Sequence, residues 1–446
     1  MRSRPRLPDA PVGRRPGAPI PLDGGDLAFL SWLGTDRDPL LHIALAARLP
    51  GPVPSAPQLC RLAAETAARA PVLTYRLTGA GRHARWEPDP AFDPAHHVAH
   101  RRVPPGADVR QAVIDAVREL PLHPRRPLWT LMVIHGHRDD EHVLCYRVHH
   151  GFQDGVGAAR TVNAVLLGKP LSTPVSRAPA KPAAGRWLRL MTTGARLAGR
   201  SARLRPPATT AGGGTRLRVH HCDAAPLTAI AAETGASLTQ VALTVLTGAL
   251  RSWNPRHWER GRPARRGLTI SFPLNLSGRL HDGGLGNGCI SVPVVLPCGE
   301  PCPRGRLRRV MAETGFERLS RYRHDRYLLR SPLLAWGAGA VIGSRAMERL
   351  LLRGAAGGLV VSAIAAGDSL PVDRCFAVPP TLDFGGGVMA IVHGGGSVVF
   401  SGLWSRSLGG TERLAGLLDA AVGELAAAVG VGGSPGSPVG GAAVRR

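Results

Sequence analysis

Between Trp129 and Leu167 the chain runs through two short apolar segments, a polar break, a pair of histidines and a helical stretch. That order leaves little freedom in the local fold. Trp129 to Ile134 and His142 to His149 have the length and apolar content of strands, and the break at Gly136 to Asp140 reads as the turn between them. From Gly155 to about Leu167 the apolar spacing becomes helical. The run His149-His150-Gly151-Phe152-Gln153-Asp154-Gly155 therefore occupies a strand-to-helix loop, where a rigid scaffold aims side chains.

The residue types in that loop suit proton transfer. Histidine titrates near neutral pH and can take a proton from an attacking hydroxyl or amine. Asp154, four positions after His150, is suited to fix the loop and the ring orientation, and Gly155 to let the backbone turn sharply into the helix. The plainer alternative is that His149 and His150 merely end a strand. A double histidine with Asp-Gly at this spacing, between strand and helix, favours catalysis, with His150 as general base.

At 446 residues the chain suits two lobes. Helices are expected at Ala56 to Ala70, Asp108 to Leu120, Ser237 to Trp253 and Thr411 to Val429. Further strands are expected at Leu41 to Leu49, Leu268 to Phe272, Ile290 to Leu296, Gly358 to Ile364, Val388 to His393 and Ser397 to Trp404. Strands and helices mix without strict alternation, so the fold class is α/β in the α+β sense, with mixed sheets. The expected division is a disordered basic tail over 1–20, an N-terminal lobe over 21–175, a basic crossover linker over 176–215, a C-terminal lobe over 216–430 and a disordered tail over 431–446. Within the linker, Trp187, Leu190, Met191, Leu197 and Leu204 recur at helical spacing among arginines. This is a basic amphipathic helix, which either packs on its own protein or lies on an anionic lipid surface.

Fifty-six basic against 31 acidic residues give a formal charge of +25, a field that attracts anions without choosing among nucleic acid, lipid headgroups and the phosphates of coenzyme A. A GC-rich genome explains much of the arginine excess equally well. No recognition module accompanies the basic region Arg304 to Arg330, so nucleic acid is not expected as a partner. That region reads as a solvated helix face or as a rim for coenzyme A phosphates. Seven scattered cysteines without a CxxC pair read as reduced thiols, pointing to a cytoplasmic protein with no zinc site and no other metal. Met1 to Gly24 lacks the apolar core of a secretory signal, and Ser331 to Ser344 is too short to span a bilayer. Gly432 to Gly436 matches GxSxG literally but has no strand before it, and Gly337 to Gly343 lacks dinucleotide-binding spacing.

The chain resembles the bacterial wax ester synthase/diacylglycerol acyltransferase family, within the superfamily of coenzyme-A-dependent acyltransferases and condensation domains. The resemblance rests on the histidine motif, on Pro21-Leu22-Asp23 with Phe29-Leu30, on Phe92-Asp93 with His96-His97-Val98, on Pro127-Leu128-Trp129 and on Gly286-Asn287. It covers most of residues 20 to 405. The family implies two lobes with a tunnel between them, acyl-CoA as co-substrate with no further cofactor, and a hydrophobic alcohol or diacylglycerol as acceptor. It also implies His150 as base, a mainly structural Asp154 and a pocket-shaping His149. The expected seat is the cytoplasm, with a peripheral place at the inner face of the plasma membrane or at a lipid-droplet surface left open. Two elements depart from the family: Thr239-Gln240 stands where Asn-Asp is usual, and Ser362-Ala363-Ile364-Ala365-Ala366 where Asn-Val-Pro-Gly-Pro is usual. Leu382 to Gly387 is faintly similar to the Asp-Phe-Gly element of plant-type members. The departures keep two alternatives open: a condensation-type acyltransferase of secondary metabolism using a carrier-bound donor, and a non-catalytic lipid-surface protein.

Overall fold

A computed structural model describes residues 17–22, 24–174, 202–209, 213–275, 284–326, 358–367, 370–381 and 386–431. The tail before residue 17, the segment Trp187 to Arg200 expected to be helical, the apolar stretch Ser331 to Ser344, Asp383-Phe384-Gly385 and Gly432 to Gly436 lie outside the described residues.

The strands of the first half are β1 (Ile20–Pro21), β2 (His42–Pro50), β3 (Tyr75–Thr78), β4 (Arg85–Pro88), β5 (Val98–Arg102), β6 (Trp129–His135) and β7 (Glu141–His149). Those of the second half are β8 (Thr215–Asp223), β9 (Leu268–Asn275), β10 (Cys289–Leu296), β11 (Leu359–Ala365), β12 (Cys375–Val378), β13 (Gly387–Gly394) and β14 (Ser397–Ser405). Among the described residues they form a five-stranded sheet in the order β12-β2-β7-β6-β5, a six-stranded sheet in the order β10-β9-β11-β13-β14-β8, and a small sheet β1-β4-β3. Both large sheets are mixed: β5 runs parallel to β6, and β11 parallel to β9 and β13, while the remaining pairs are antiparallel.

β7 sits in the middle of the first sheet and is covered on both faces, which is why its sequence is almost continuously apolar. Leu144, Tyr146 and Val148 face one core with Trp86, Trp129 and Phe152; Val143 and Cys145 face another, built on the helix Val109–Glu119. The register pairs His149 of β7 with His42 of β2, setting two histidines side by side.

The second sheet packs on the helix Leu238–Trp253, whose residues Val241 to Leu250 are all buried. Its flanks carry the helices Ala224–Thr234, Pro303–Glu313 and Leu414–Val429. Among the described residues no single helix is long and apolar enough to cross a membrane. The pair Ala224–Thr234 and Leu238–Trp253 would qualify together by length and composition, but it is bent by 110°.

The layers do not follow chain position alone. β12 leaves the second half of the chain to pair with β2, at the edge of the first sheet. Ile364, Ala366, Leu370, Val372, Val392 and Val399 complete the core built on Tyr146 and Phe152. Residues 202–206, expected to continue the linker helix, are instead non-helical, and Leu204 is buried in the second core with Ala202 bridged to Leu268.

Candidate active site

The loop after β7 is held by bonds at both ends. At its start the Leu128 carbonyl accepts the His149 N–H at 3.0 Å, and the Leu41 carbonyl accepts the His150 N–H at 2.9 Å. At its end Asp154 caps the helix Gly155–Leu167: its Oδ1 accepts from the N–H groups of Val156 at 2.9 Å and Gly157 at 2.8 Å. The other carboxylate oxygen accepts from the Cys289 thiol at 3.2 Å, tying the loop to β10 of the second sheet. Asp154 thus acts on the backbone of the loop. Between these ends, Gln153 is buried and accepts from the Tyr146 hydroxyl at 2.7 Å while donating to Thr161 at 3.1 Å.

Gly155 is required for a reason other than a sharp turn, since its φ is not positive. A Cβ there would stand 2.8 Å from Cδ1 of Ile364, so the absent side chain makes room for β11. Gly157 is as close to its neighbour, since a Cβ there would stand 2.8 Å from the Gly284 carbonyl oxygen, which is backbone.

His150 is half-buried, its ring stacked on Phe29 with centroids 4.4 Å apart. Its Nδ1 is buried and has no hydrogen-bond partner among the described side chains and backbone. Burial pushes the imidazole below the ordinary histidine pKa; its own backbone carbonyl and the Asp154 charge oppose that, and His149 adds to it. The ring is therefore neutral near pH 7, the form a base requires.

His149 is fully buried and turned away from that role. The Gly151 N–H donates to its Nδ1 at 3.0 Å, and its Nε2 lies 3.3 Å from Asp38 Oδ1, obliquely rather than in line. The same Asp38 oxygen is 3.1 Å from His42 Nε2, and the other accepts from the Gly34 N–H at 3.1 Å. Burial pushes the Asp38 carboxyl up, but these contacts together outweigh it and hold the group well below the usual carboxylate range. Beside this cluster Arg147 donates to the carbonyls of Val117 and Leu120 at the end of the helix Val109–Glu119, and to Thr130 at 3.1 Å.

The remaining residues singled out from sequence act as supports. The Trp129 indole donates to the Leu73 carbonyl at 2.8 Å and its ring stacks on His97 at 4.4 Å, with Phe92 packed against both, 5.2 Å from His97 and 6.3 Å from Trp129. Leu128 is fully buried, and the Pro127 carbonyl accepts the Trp129 N–H. Asn287 lies two residues before β10: its side chain accepts from the Cys289 N–H at 3.1 Å, while its own N–H donates to Asp26 at 2.7 Å.

A cavity of about 280 Å³ opens against the helix end of the loop, at Gly155, Val156 and Cys289. Its wall brings together both elements that depart from the family pattern, Thr239-Gln240 and Ser362-Ala363, with Phe272, Asn275 and Thr314. His150 is not among the described residues that line it. Within the basic region at Arg304 to Arg330, three arginines are engaged inside the protein, while the side chains from Tyr322 onward lie outside the described residues. Arg306 is buried against Glu424 and the carbonyls of Glu300 and Pro301, Arg309 pairs with Glu300, and Arg318 pairs with Glu313. Among the described residues one trio of metal-ligand types lies close together, His220, Cys222 and Asp419, and there the imidazole already contacts the carboxylate at 2.8 Å.

Sequence reasoning missed Asp38, His42 and Cys289, and it named Phe29 only within the opening that matches the family, not as a neighbour of His150. The His42 side chain had a signal available, as a polar residue at the head of an otherwise apolar strand; Asp38 and Cys289 carry none.

Two mixed sheets with a paired-histidine loop between them form a fold that solved acyltransferase and condensation-domain structures share. A wax ester synthase/diacylglycerol acyltransferase from Marinobacter aquaeolei shares the fold with a TM-score of 0.59 at 20% identity, over 92% of this chain and 100% of that one. The starter condensation domain of rhizomide synthetase shares it with a TM-score of 0.60 at 13% identity, over 92% and 94%. Residues 22–274 match the family model of the wax ester synthase/diacylglycerol acyltransferase catalytic domain, and the chain belongs to that family. Among curated relatives, an O-acyltransferase of Acinetobacter baylyi is 30% identical over 18% of each chain. A Mycobacterium tuberculosis protein provisionally named a diacylglycerol O-acyltransferase is 31% identical over 30% of this chain and 29% of its own length. A second such M. tuberculosis protein is 26% identical over 51% of this chain and 55% of its own, so each match spans less than two thirds of the relative.

Proposed function

We propose that the protein is an O-acyltransferase that moves a long-chain acyl group from acyl-CoA to diacylglycerol or a fatty alcohol, with His150 as general base. The observation that carries this reading is a neutral, half-buried imidazole on a loop fixed at both ends, in a chain of this family. His150 takes the proton of the acceptor hydroxyl as its oxygen attacks the thioester carbonyl, giving a tetrahedral oxyanion. Collapse of that adduct breaks the carbon–sulfur bond, and the departing thiolate of coenzyme A takes the proton back from the imidazolium. The sequence balances with acyl-CoA as co-substrate and calls on no further cofactor and no covalent enzyme intermediate. Asp154 holds the loop, and His149, Pro127, Leu128, Trp129 and Asn287 support it.

Such an acceptor resides in lipid, so we place the protein in the cytoplasm, working peripherally at a membrane or lipid-droplet surface with the basic segment around Trp187 as its contact. Incubation with labelled palmitoyl-CoA and either diacylglycerol or hexadecanol, followed by product separation, tests the substrate class. Labelled triacylglycerol or wax ester is expected. Transfer from a carrier-protein thioester alone, with palmitoyl-CoA ignored, would replace this reading with the condensation-type one. Liposome flotation without thiol release from any acyl donor would replace both with a lipid-surface role.

A further inference from the structure

Beneath the candidate base lies a charged cluster that direct proton transfer does not use. Asp38, His42 and His149 are all buried, two of them on adjacent strands and the third on the turn leading into β2. The ring of His149 meets a donor on one side, the Gly151 N–H at Nδ1, and an acceptor on the other, Asp38 at Nε2. A neutral imidazole has one N–H and one lone pair, so this pair of neighbours selects the tautomer with hydrogen on Nε2. The opposite tautomer would set two N–H groups against each other at Nδ1 and leave a lone pair facing a carboxylate.

We propose that Asp38 is a positioning residue for acyl transfer, fixing the tautomer of His149 so that its Nδ1 holds the Gly151 amide and, through it, the backbone that presents His150. The inference rests on the role given to His150 in the preceding subsection. His42 serves as the anchor of the carboxylate. Its Nε2 faces Asp38 at 3.1 Å and its Nδ1 faces the Val117 carbonyl at 3.2 Å, so both nitrogens address acceptors. Val117 sits in the last turn of a helix, where partial negative charge gathers, and Arg147 reaches the same carbonyl. Asp38 is thus held by His42 from one side and by the Gly34 N–H from the other, and its charge is directed at His149.

The test uses the full chain labelled with 15N-histidine, with His149 assigned by the loss of its signals in His149→Gln. In the wild type the nitrogen shifts of His149 should report hydrogen on Nε2. In Asp38→Asn, a neutral isostere, the signals should move toward the other tautomer or toward exchange. The kcat for palmitoyl transfer should then fall about 10²-fold while the KM for palmitoyl-CoA stays within about twofold. Asp38→Glu, which keeps the charge, should restore part of kcat. A wild-type His149 with hydrogen on Nδ1 overturns the proposal, and that reading needs no variant to fold. So does an Asp38→Asn protein with wild-type kcat, or one with lowered kcat and unchanged His149 shifts. A wild type without acyl transfer from any donor would instead remove the assigned function, and the nitrogen shifts would still report whether Asp38 sets the ring.

Discussion

Two histidines adjacent in sequence end in different environments because His149 closes β7 while His150 is the first residue of the loop after it. His149 turns into the buried cluster with Asp38, and His150 out against Phe29. The consequence for pH follows from burial. A base is active when neutral, and His150 has its pKa pushed below the ordinary 6.5, so activity should persist as pH falls through 6.5 and be lost only below it. A kcat profile between pH 4.5 and 8 reads this directly; an acidic limb centred above 7 would contradict it. His97 offers a matching test on stability. Burial against Trp129 pushes its pKa down to about 4, only partly opposed by the Trp129 carbonyl. The unfolded chain therefore binds a proton between pH 6.5 and 4 that the folded one refuses, and stability is lost as pH falls through that window. The gap corresponds to about 3 kcal/mol. His97→Phe keeps the stacking and removes the proton, so its unfolding free energy should fall less between pH 7 and 4 than that of the wild type.

At the scale of elements, the strand-to-helix unit was legible because each part has a local cause. β7 is long and apolar, Asp154 is a strong N-cap, and the helix Gly155–Leu167 carries its own periodicity and a left-handed Gly168 at its end. What local pattern could not show is what the helix packs against. The place of Gly155 is set by Ile364, from a strand far along the chain, and that of Gly157 by the Gly284 carbonyl. Gly155→Ala should cost about 1–3 kcal/mol, as overpacking does. Ile364→Val removes the clashing Cδ1 and should recover most of that in the double variant, a coupling read by denaturant unfolding. Gly157→Ala meets backbone, which cannot swing aside, and should cost more than Gly155→Ala with no rescue from Ile364→Val. The short strands β1, β3, β4 and β12 were not foreseen, since each has two to four residues and too few alternations to register as a pattern. Asp38 belongs with them: its meaning depends on a strand pairing that the sequence near it does not announce.

Across the whole molecule the expected two lobes with mixed sheets are present as layers, yet the chain weaves between them. β12 crosses to the first sheet, and Arg118 reaches from the first half to Thr215 at 2.5 Å and Thr381 at 2.9 Å. The Cys289 to Asp154 bond and the seating of Ile364 against Gly155 join the lobes at the loop itself. Such interlocking predicts one cooperative unfolding transition. Trp86 and Trp129 report the first core, and Trp253, Trp258 and Trp404 the second. Tryptophan-to-phenylalanine variants that leave one set should give the same denaturant midpoint as the other, whereas two separated midpoints would mean lobes that fold alone. The joint placed between the lobes is also where the motif sits, so the account comes down to one side chain. Coenzyme A thiol release from palmitoyl-CoA, with hexadecanol or diacylglycerol present, should fall by about 10²–10⁴-fold in kcat for His150→Ala, with an unfolding midpoint near that of the wild type. A folded His150→Ala protein that turns over at the wild-type rate would contradict it.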